Sequence, residues 1–400
     1  MILDYEQCEK LLDSFNNTLI KETTPIGFTS LENLPIRHFT LGNGNKHIVV
    51  TASQHSNEII STTFVIYLMK YLIKNNIYFE NLTIHFIPIL NPEGYIINTS
   101  TIRNKISKDA TQTEIIKYCY EFYLKYKIDS INPTQTIKLH QEMFSDTNHT
   151  SINKKFNILK DSVQEILSNH PKGSIIDWAS NGNGIDLNSN SINKQTINNE
   201  CNKQPQYNNI RIDIPSPIGH PGKTHIQSFK EEIEISSLKN LFKQINKNNQ
   251  LIGYLNYHSI GGMIFQRPES NNNTFNIIYN YLLSKFYQEY TIKNNHKYNI
   301  ITELANKITS VNDSLRIQYP GNLLIELSPM MGNPIGVFGD INNYTNTINS
   351  NIQSFIFTMN NIENIYNKSL ELTKQNEQID NLYPIIDKKY ITIKKKILTK

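Results

Sequence analysis

Cysteine is scarce in this chain. Three thiols, Cys8, Cys119 and Cys201, are scattered over 400 residues. Their odd number and wide spacing exclude a disulfide framework or a cysteine-based metal cluster as a reading of the sequence, and they fit a reducing compartment. Long apolar runs are also missing: no stretch approaches the roughly 20 apolar residues of a membrane-spanning helix. The first residues, "MILDYEQCEKLLDSFNN", are acidic and lack a basic region followed by an apolar one, so no signal peptide is expected. The expectation is a soluble, cytoplasmic protein with no membrane partner. Strong charge of one sign is absent as well. The formal net charge is +4 and charged residues make up 18%, which provides no argument for nucleic acid as a partner. No internal repeat is visible.

What is present is core-forming material. The hydrophobic fraction is 38% and the aromatic fraction 10%, enough at this length for one large α/β domain or two smaller ones. Asn, Ile and Lys are abundant, as A/T-rich codons would produce. Apolar periodicity continues around tracts such as "SNNNTFN", which argues against a prion-like reading.

Residues 5–16 show a helical stripe, with Leu11, Leu12 and Phe15 on one face. "IRHFTLG", "GNGNK" and "KHIVVTAS" read as strand, turn, strand. "NEIISTTFVIYLMKYLIKN" has helical length and stripe, and "NLTIHFIPILNPEGY" reads as a strand ending in a turn at Pro92 and Gly94. Residues 46–95 therefore predict a β–α–β unit with parallel strands. "QLIGYLNYHS" and "NLLIELSP" add strands; "SSLKNLFKQIN", "TFNIIYNYLLSKFYQEY" and "NIQSFIFTMNNIENIYN" add helices. Alternating strands and helices predict an α/β fold around a mixed, mostly parallel sheet. We expect one domain over 1–365, with a more polar insertion at about 104–180 that includes a helix in "TQTEIIKYCYEFYLKYK". The lysine-rich end, 366–400, closes on "KKYITIKKKILTK", which alternates like an edge strand or forms a loose tail.

Ligands of open α/β sheets bind beyond the carboxyl ends of strands. Four segments end there: "VVTASQHSNE" with His55 and Glu58, "IPILNPEGY", "LNYHSIGG" with His258, and "LLIELSP" with Glu326. Two histidines and a carboxylate are a common three-ligand set for catalytic zinc, and a further carboxylate can serve as base for a metal-activated water. Each element has a bland counterpart. His-x-x-Glu also occurs in surface turns, a single histidine such as His258 also serves as a hydrogen-bonded core residue, and "DLNSN" also serves as a turn. A glutamate closing an apolar strand is more telling, because a charge at a core edge needs a partner.

In this order, the segments resemble the zinc carboxypeptidase family, the carboxypeptidase A-like metallopeptidases, from about Ile26 to about Asp340. The matches are "HSNE" after a core strand, "NPEGY" at 91–95, "GIDLNSN" at 184–190, "YHSIGGMIF", "IELSP", and "SFKEEIEISSLKNL" at 228–241, which is similar to the family's Phe-Ser-Glu-Pro-Glu helix start. The endings "IELSPMMGNP" and "HSIGG" look more like bacterial members than digestive ones. The resemblance implies a three-layer α/β/α sandwich and one Zn2+ per chain, held by His55, Glu58 and His258. It implies Glu326 as the general base that returns its proton to the leaving amine, and Arg103 as the residue that polarises the scissile carbonyl, an effect worth a few kcal/mol in oxyanion sites. A surface charge is the other reading of Arg103.

By the same resemblance Asn188 helps to hold the substrate's terminal carboxylate. Its usual neighbour is arginine, but this chain has Ser189, so a bidentate guanidinium clamp is missing there. Arg316 or Arg267 could replace it, or the substrate is not an ordinary peptide C-terminus. Some bacterial relatives cleave cell-wall peptides beside D-glutamate or diaminopimelate, which makes a murein stem peptide a second candidate substrate. No digestive-type propeptide is visible before Ile26, and no wall-binding repeat follows. Two other readings stay open: a zinc amidohydrolase acting on small N-acyl amino acids, and a non-catalytic binding protein on the same fold.

Overall fold

The computed structural model describes residues 2–16, 18–105, 110–118, 156–169, 178–188, 190, 210–212, 221–223, 231–248, 250–259, 261–266, 274–293, 297–302, 315, 318–328, 341–375 and 382–399. In chain order its elements are α1 (Tyr5–Asp13), β1 (Ile20–Phe28), β2 (Pro35–Gly42), β3 (Lys46–Ala52), α2 (Ile59–Lys74), β4 (Leu82–Ile87), α3 (Pro92–Lys105), α4 (Asn157–Asn169) and a small β5–β6 pair (Ile210–Ile212, Pro221–Lys223). They continue with α5 (Ile233–Asn248), β7 (Gln250–His258), β8 (Met263–Phe265), α6 (Thr274–Lys293), β9 (Asn299–Ile301), β10 (Asn322–Glu326), α7 (Ile341–Gln375) and α8 (Leu382–Leu398).

The main sheet has the order β1–β2–β4–β3–β7–β10–β8–β9. Its four central strands, β4, β3, β7 and β10, are mutually parallel, so their carboxyl ends share one edge. Antiparallel strands flank them: β2 on β4 and β1 on β2 at one side, β8 on β10 at the other. The predicted β–α–β unit is β3–α2–β4, with Lys46 opposite Leu82 and Thr51 opposite Ile87. Although β2 and β3 are neighbours in sequence, β4 lies between them in the sheet.

Period-2 alternation in β3 divides the core. Ile48, Val50 and Ala52 join the larger cluster, with residues of α1, α2, α6, α7 and α8. Val49 faces the other side, where Leu238, Phe242 and Ile245 of α5 cover the sheet. The result is the expected three-layer α/β/α arrangement. A capping box starts α1: Asp4 Oδ1 accepts from the Gln7 amide at 2.8 Å, and Gln7 Oε1 accepts from the Asp4 amide at 3.1 Å.

Two local expectations are corrected. The turn expected at "NPEGY" is instead the start of α3. Asn91 caps it, its Oδ1 accepting from the Gly94 amide at 3.0 Å, and Pro92 takes the first helical position, where a missing N–H costs nothing. Gly94 is needed for close approach rather than for a turn: a Cβ there would stand 2.3 Å from the Ser180 carbonyl oxygen and 2.6 Å from Ser56 Cβ. The chain end is the second correction. It forms neither an edge strand nor a loose tail but helix α8. Its buried Ile386, Ile393 and Ile397 recur at helical spacing and belong to the main core cluster. The Lys394–Glu289 and Lys285–Asp387 ion pairs, at 2.7 and 2.9 Å, tie α8 to α6. Helix α7 runs unbroken across residue 365.

Within the stretch expected as an insertion, residues 112–118 are helical. Phe156, Leu159, Val163 and Trp178 pack with Ile96 and Ile97 of α3 as a separate buried cluster. The remainder of the helix expected in "TQTEIIKYCYEFYLKYK", from residue 119 onward, lies outside the described residues.

Candidate metal centre

The carboxyl edge of the parallel strands collects the chemistry. Beyond β3 the chain passes through Ser53 in the left-handed region, at φ 55°, a conformation that non-glycine residues rarely adopt. The Ser53 amide donates to Ser61 Oγ at 3.0 Å, and that hydroxyl donates to the Glu58 carbonyl at 2.7 Å. This closes "HSNE" into a tight loop ahead of α2. Glu58 is the N-cap of α2, yet its side chain makes no capping hydrogen bond. The carboxylate is thus free to turn away from the helix, while the helix N-terminus still favours its charge. His258 ends β7 and stands opposite Glu326, the last residue of β10.

His55 Nδ1 lies 3.2 Å from Glu58 Oε1, and His258 Nδ1 lies 2.8 Å from Glu58 Oε2. One donor atom from each of the three residues falls within 4.8 Å of the others. Glu58 and His258 are buried, and the His55 side chain is 15% exposed. Glu58 Oε2 has no aligned hydrogen-bond donor despite the close imidazole. His55 Nδ1 is hydrogen-bonded to Glu58 Oε1, and two imidazole nitrogens and a carboxylate gathered this closely fit Zn2+ and its preference for N and O ligands.

The electrostatics agree. Burial alone would raise the Glu58 pKa, but the two imidazoles beside it hold it well below the usual glutamate range. Burial works against a charged His55, yet Glu58 and Asp186 together push its pKa well above the ordinary histidine value. Glu326 is raised well above the usual glutamate value, first by burial and then by the Glu58 charge. Its Oε2 is buried without a hydrogen-bond partner.

The sequence reading did not single out Asp186. Its Oδ1 lies 3.3 Å from His55 Nε2, opposite the ring nitrogen that faces Glu58. A carboxylate on the far nitrogen of a ligating histidine fixes the ring orientation and raises its basicity. The signal was within the quoted "GIDLNSN", two residues before Asn188. The 178–186 segment is held against the "HSNE" loop: the Ser56 amide donates to the Ala179 carbonyl at 3.3 Å, Ser56 Oγ to the Ser180 carbonyl at 3.1 Å, and Asn91 Nδ2 to the same Ser180 carbonyl at 3.0 Å.

Asn188 follows Asp186, which accepts from the Asn188 amide at 2.8 Å, and Asn188 Oδ1 is buried without a hydrogen-bond partner. Arg103 belongs to α3, and its side chain lies outside the described part of the structure. Ser189, Arg267 and Arg316 also lie outside the described residues. No helix among the described residues is long and apolar enough to cross a membrane.

Comparison with known proteins bears on the fold and the family. Over 93% of its length the chain superposes on bovine thrombin-activatable fibrinolysis inhibitor, solved in complex with tick carboxypeptidase inhibitor. That match has 13% identity, a TM-score of 0.51 and 98% coverage of the other chain. Carboxypeptidase A from Helicoverpa armigera matches 94% of this chain and 75% of its own at 13% identity and a TM-score of 0.50. A bacterial metallo-carboxypeptidase, from Burkholderia cenocepacia, matches 88% of this chain and 68% of its own at 12% identity and a TM-score of 0.48. The first two matches, at TM-scores of 0.51 and 0.50, show a shared fold. A search of curated protein sequences returned no match. The model of the zinc carboxypeptidase family matches residues 9–379, nearly the whole chain, and the protein belongs to that family of zinc-dependent peptidases.

Proposed function

We propose that this enzyme removes the C-terminal residue of a peptide, or cleaves a γ-D-glutamyl–diamino acid amide, with Glu326 as general base. The observation that carries the reading is the orphaned, buried Glu326 Oε2 on the strand beside His258. His55, Glu58 and His258 would hold the zinc. When bound there, zinc supplies Lewis acidity and makes a water nucleophilic near neutral pH.

The residues of the chain then divide the work. Glu326 accepts the proton of the attacking water and delivers it to the departing amine nitrogen, a transfer that general bases typically accelerate by about 10²–10⁴-fold. Burial and the Glu58 charge raise its basicity for the purpose. Asp186 keeps the His55 ring in place through Nε2. Asn188 would bind the substrate's terminal carboxylate, and Arg103 would stabilise negative charge on the scissile carbonyl oxygen. Ser189 supplies no guanidinium, which favours Arg316 as carboxylate partner or a substrate whose acidic group sits elsewhere.

Metal analysis of the purified protein, with hydrolysis of ordinary peptides and of γ-D-glutamyl–diaminopimelate peptides, tests this reading. About one zinc per chain is expected, with release of a C-terminal amino acid from one panel. The panel cleaved names the substrate class. Cleavage of neither panel by zinc-loaded protein would overturn the peptidase reading, and turnover of N-acyl amino acids instead would install the amidohydrolase.

A further inference from the structure

We propose that Gln54 is a positioning residue of the metal centre. Its side-chain oxygen takes the Nε2 proton of His258 and so leaves Nδ1 as the ligand atom. The inference rests on the reading of His258 as a metal ligand.

A neutral imidazole carries one proton, and the partner of one ring nitrogen decides what the other can do. His258 Nδ1 faces Glu58 Oε2 at 2.8 Å. The far nitrogen, Nε2, has Gln54 Oε1 at 3.2 Å and Asn256 Nδ2 at 2.9 Å. It therefore meets one acceptor and one donor, and the choice between them is the choice of tautomer. A ring that gives the Nδ1 lone pair to a cation must carry its proton on Nε2, and Gln54 Oε1 is the acceptor in place. Ligating histidines commonly give this second proton to a carboxylate or carbonyl. At His55 the Asp186 carboxylate stands 3.3 Å from the corresponding nitrogen; His258 has an amide.

The chain behind Gln54 sets the orientation of the amides. Tyr254 OH and Thr51 Oγ1 are 3.0 Å apart, and Thr51 Oγ1 donates to Asn256 Oδ1 at 2.8 Å. With its oxygen turned to Thr51, Asn256 presents its NH2 group to Gln54 Oε1, and a His258 ring protonated at Nε2 accepts nothing from it. Asn256 Nδ2 donates to Gln54 Oε1, so the oxygen of Gln54, and not its nitrogen, faces the pair. Gln54 and Asn256 are fully buried. Thr51 and Asn256 are register partners across β3 and β7, so the sheet itself aligns the relay.

The test compares zinc affinity, by competition with a chromogenic chelator, for wild type, Gln54→Met and Gln54→Glu. It adds ¹⁵N-histidine spectra of the zinc-loaded wild type. Gln54→Met keeps the volume and removes the acceptor; zinc binding should weaken by about 10–100-fold, the usual cost of losing an outer partner. Gln54→Glu keeps an acceptor and should bind zinc at least as tightly as wild type, a rescue that a purely packing role would not produce. The spectra should show His258 protonated at Nε2. Equal zinc affinity in wild type and Gln54→Met would overturn the proposal alone, as would a His258 Nε2 without a proton, which decides the matter even if Gln54→Met does not fold. A wild type that takes up no zinc would instead remove the metal-centre reading and this proposal with it.

Discussion

Glu326 and His258 are register partners at the ends of adjacent parallel strands. Strand pairing brings a carboxylate with an orphaned oxygen alongside an imidazole whose Nδ1 faces Glu58. Because the two roles sit on separate side chains, they are separable by mutation. Glu326→Gln is isosteric and should retain zinc, while turnover falls by about 10²–10⁴-fold, the range for loss of a general base. Metal content and kcat on the same preparations check this; full activity would disprove the base assignment.

Asp186→Asn should leave the fold intact and weaken the hold of His55 on the metal. Outer-partner losses typically cost about 10–100-fold in metal affinity. Chelator competition measures it. The effect should be smaller than that of His55→Ala, which leaves only two of the three ligands.

Acid should destabilise the protein through a row of buried histidines on the α5 face of the sheet. His38 Nε2 and His85 Nδ1 are 2.9 Å apart, and His85 Nε2 and His47 Nδ1 are 2.7 Å apart. Burial lowers the His38 pKa to about 4, and burial with its two neighbours lowers that of His85 to about 3. The unfolded chain, near 6.5, binds protons that the native state refuses. The stability these groups contribute is therefore present above about pH 6.5 and is lost as pH falls toward the native pKa values, on the order of 2 kcal/mol per histidine at pH 5. In metal-free protein, the drop in Tm between pH 7 and pH 5 should be smaller for His85→Gln than for wild type. An unchanged drop would show that His85 titrates normally.

Glu234 should act with the opposite sign. Burial, helped by the charges of Glu232 and Glu93, raises its pKa to about 8. The native state then holds a proton that the unfolded chain has released above pH 4.5. Its contribution is complete below that pH and disappears as pH rises through about 8. Glu234→Gln, which keeps the shape without the charge, should gain in Tm over wild type as pH goes from 5 to 9. A constant difference across that range would argue for an ordinary carboxylate.

The end of the chain should matter for stability. Ile393 of α8 is buried in the main cluster, and Ile393→Ala should cost about 2–4 kcal/mol, as large-to-small core changes do. Urea unfolding measures the loss. Ile391→Ala, at a position 71% exposed, is the matched control and should change stability little.

Much was legible because the chemistry lies where short sequence patterns are strongest. "KHIVV" and "NLLIE" are apolar because parallel central strands are covered on both faces, and the polar residues that interrupt such runs, His55, His258 and Glu326, mark the strand ends. The N-terminal helix and the β–α–β unit were legible from period and length alone. The end of the chain misled because Tyr383, Ile386, Tyr390, Ile393 and Ile397 repeat every three to four residues, while the nearby "YITIKKKI" also alternates. Burial against α6 and α7 selects the helical period. At Pro92 the same proline that starts a turn also starts a helix, and the Asn91 cap decides between them.

By itself the sequence determined residue types, their order and their local periods, and the family follows from those. Only the tertiary structure decided which strands are neighbours, because pairing joins residues that sequence separation hides. It inserted β4 between β2 and β3. It brought Asp186 to the far side of His55, and it aligned Thr51 with Asn256 so that a buried amide, Gln54, reaches His258. Asp186 lies inside "GIDLNSN" and Gln54 directly before His55, but which groups they meet depends on register and side-chain orientation, and neither is written in spacing along the chain.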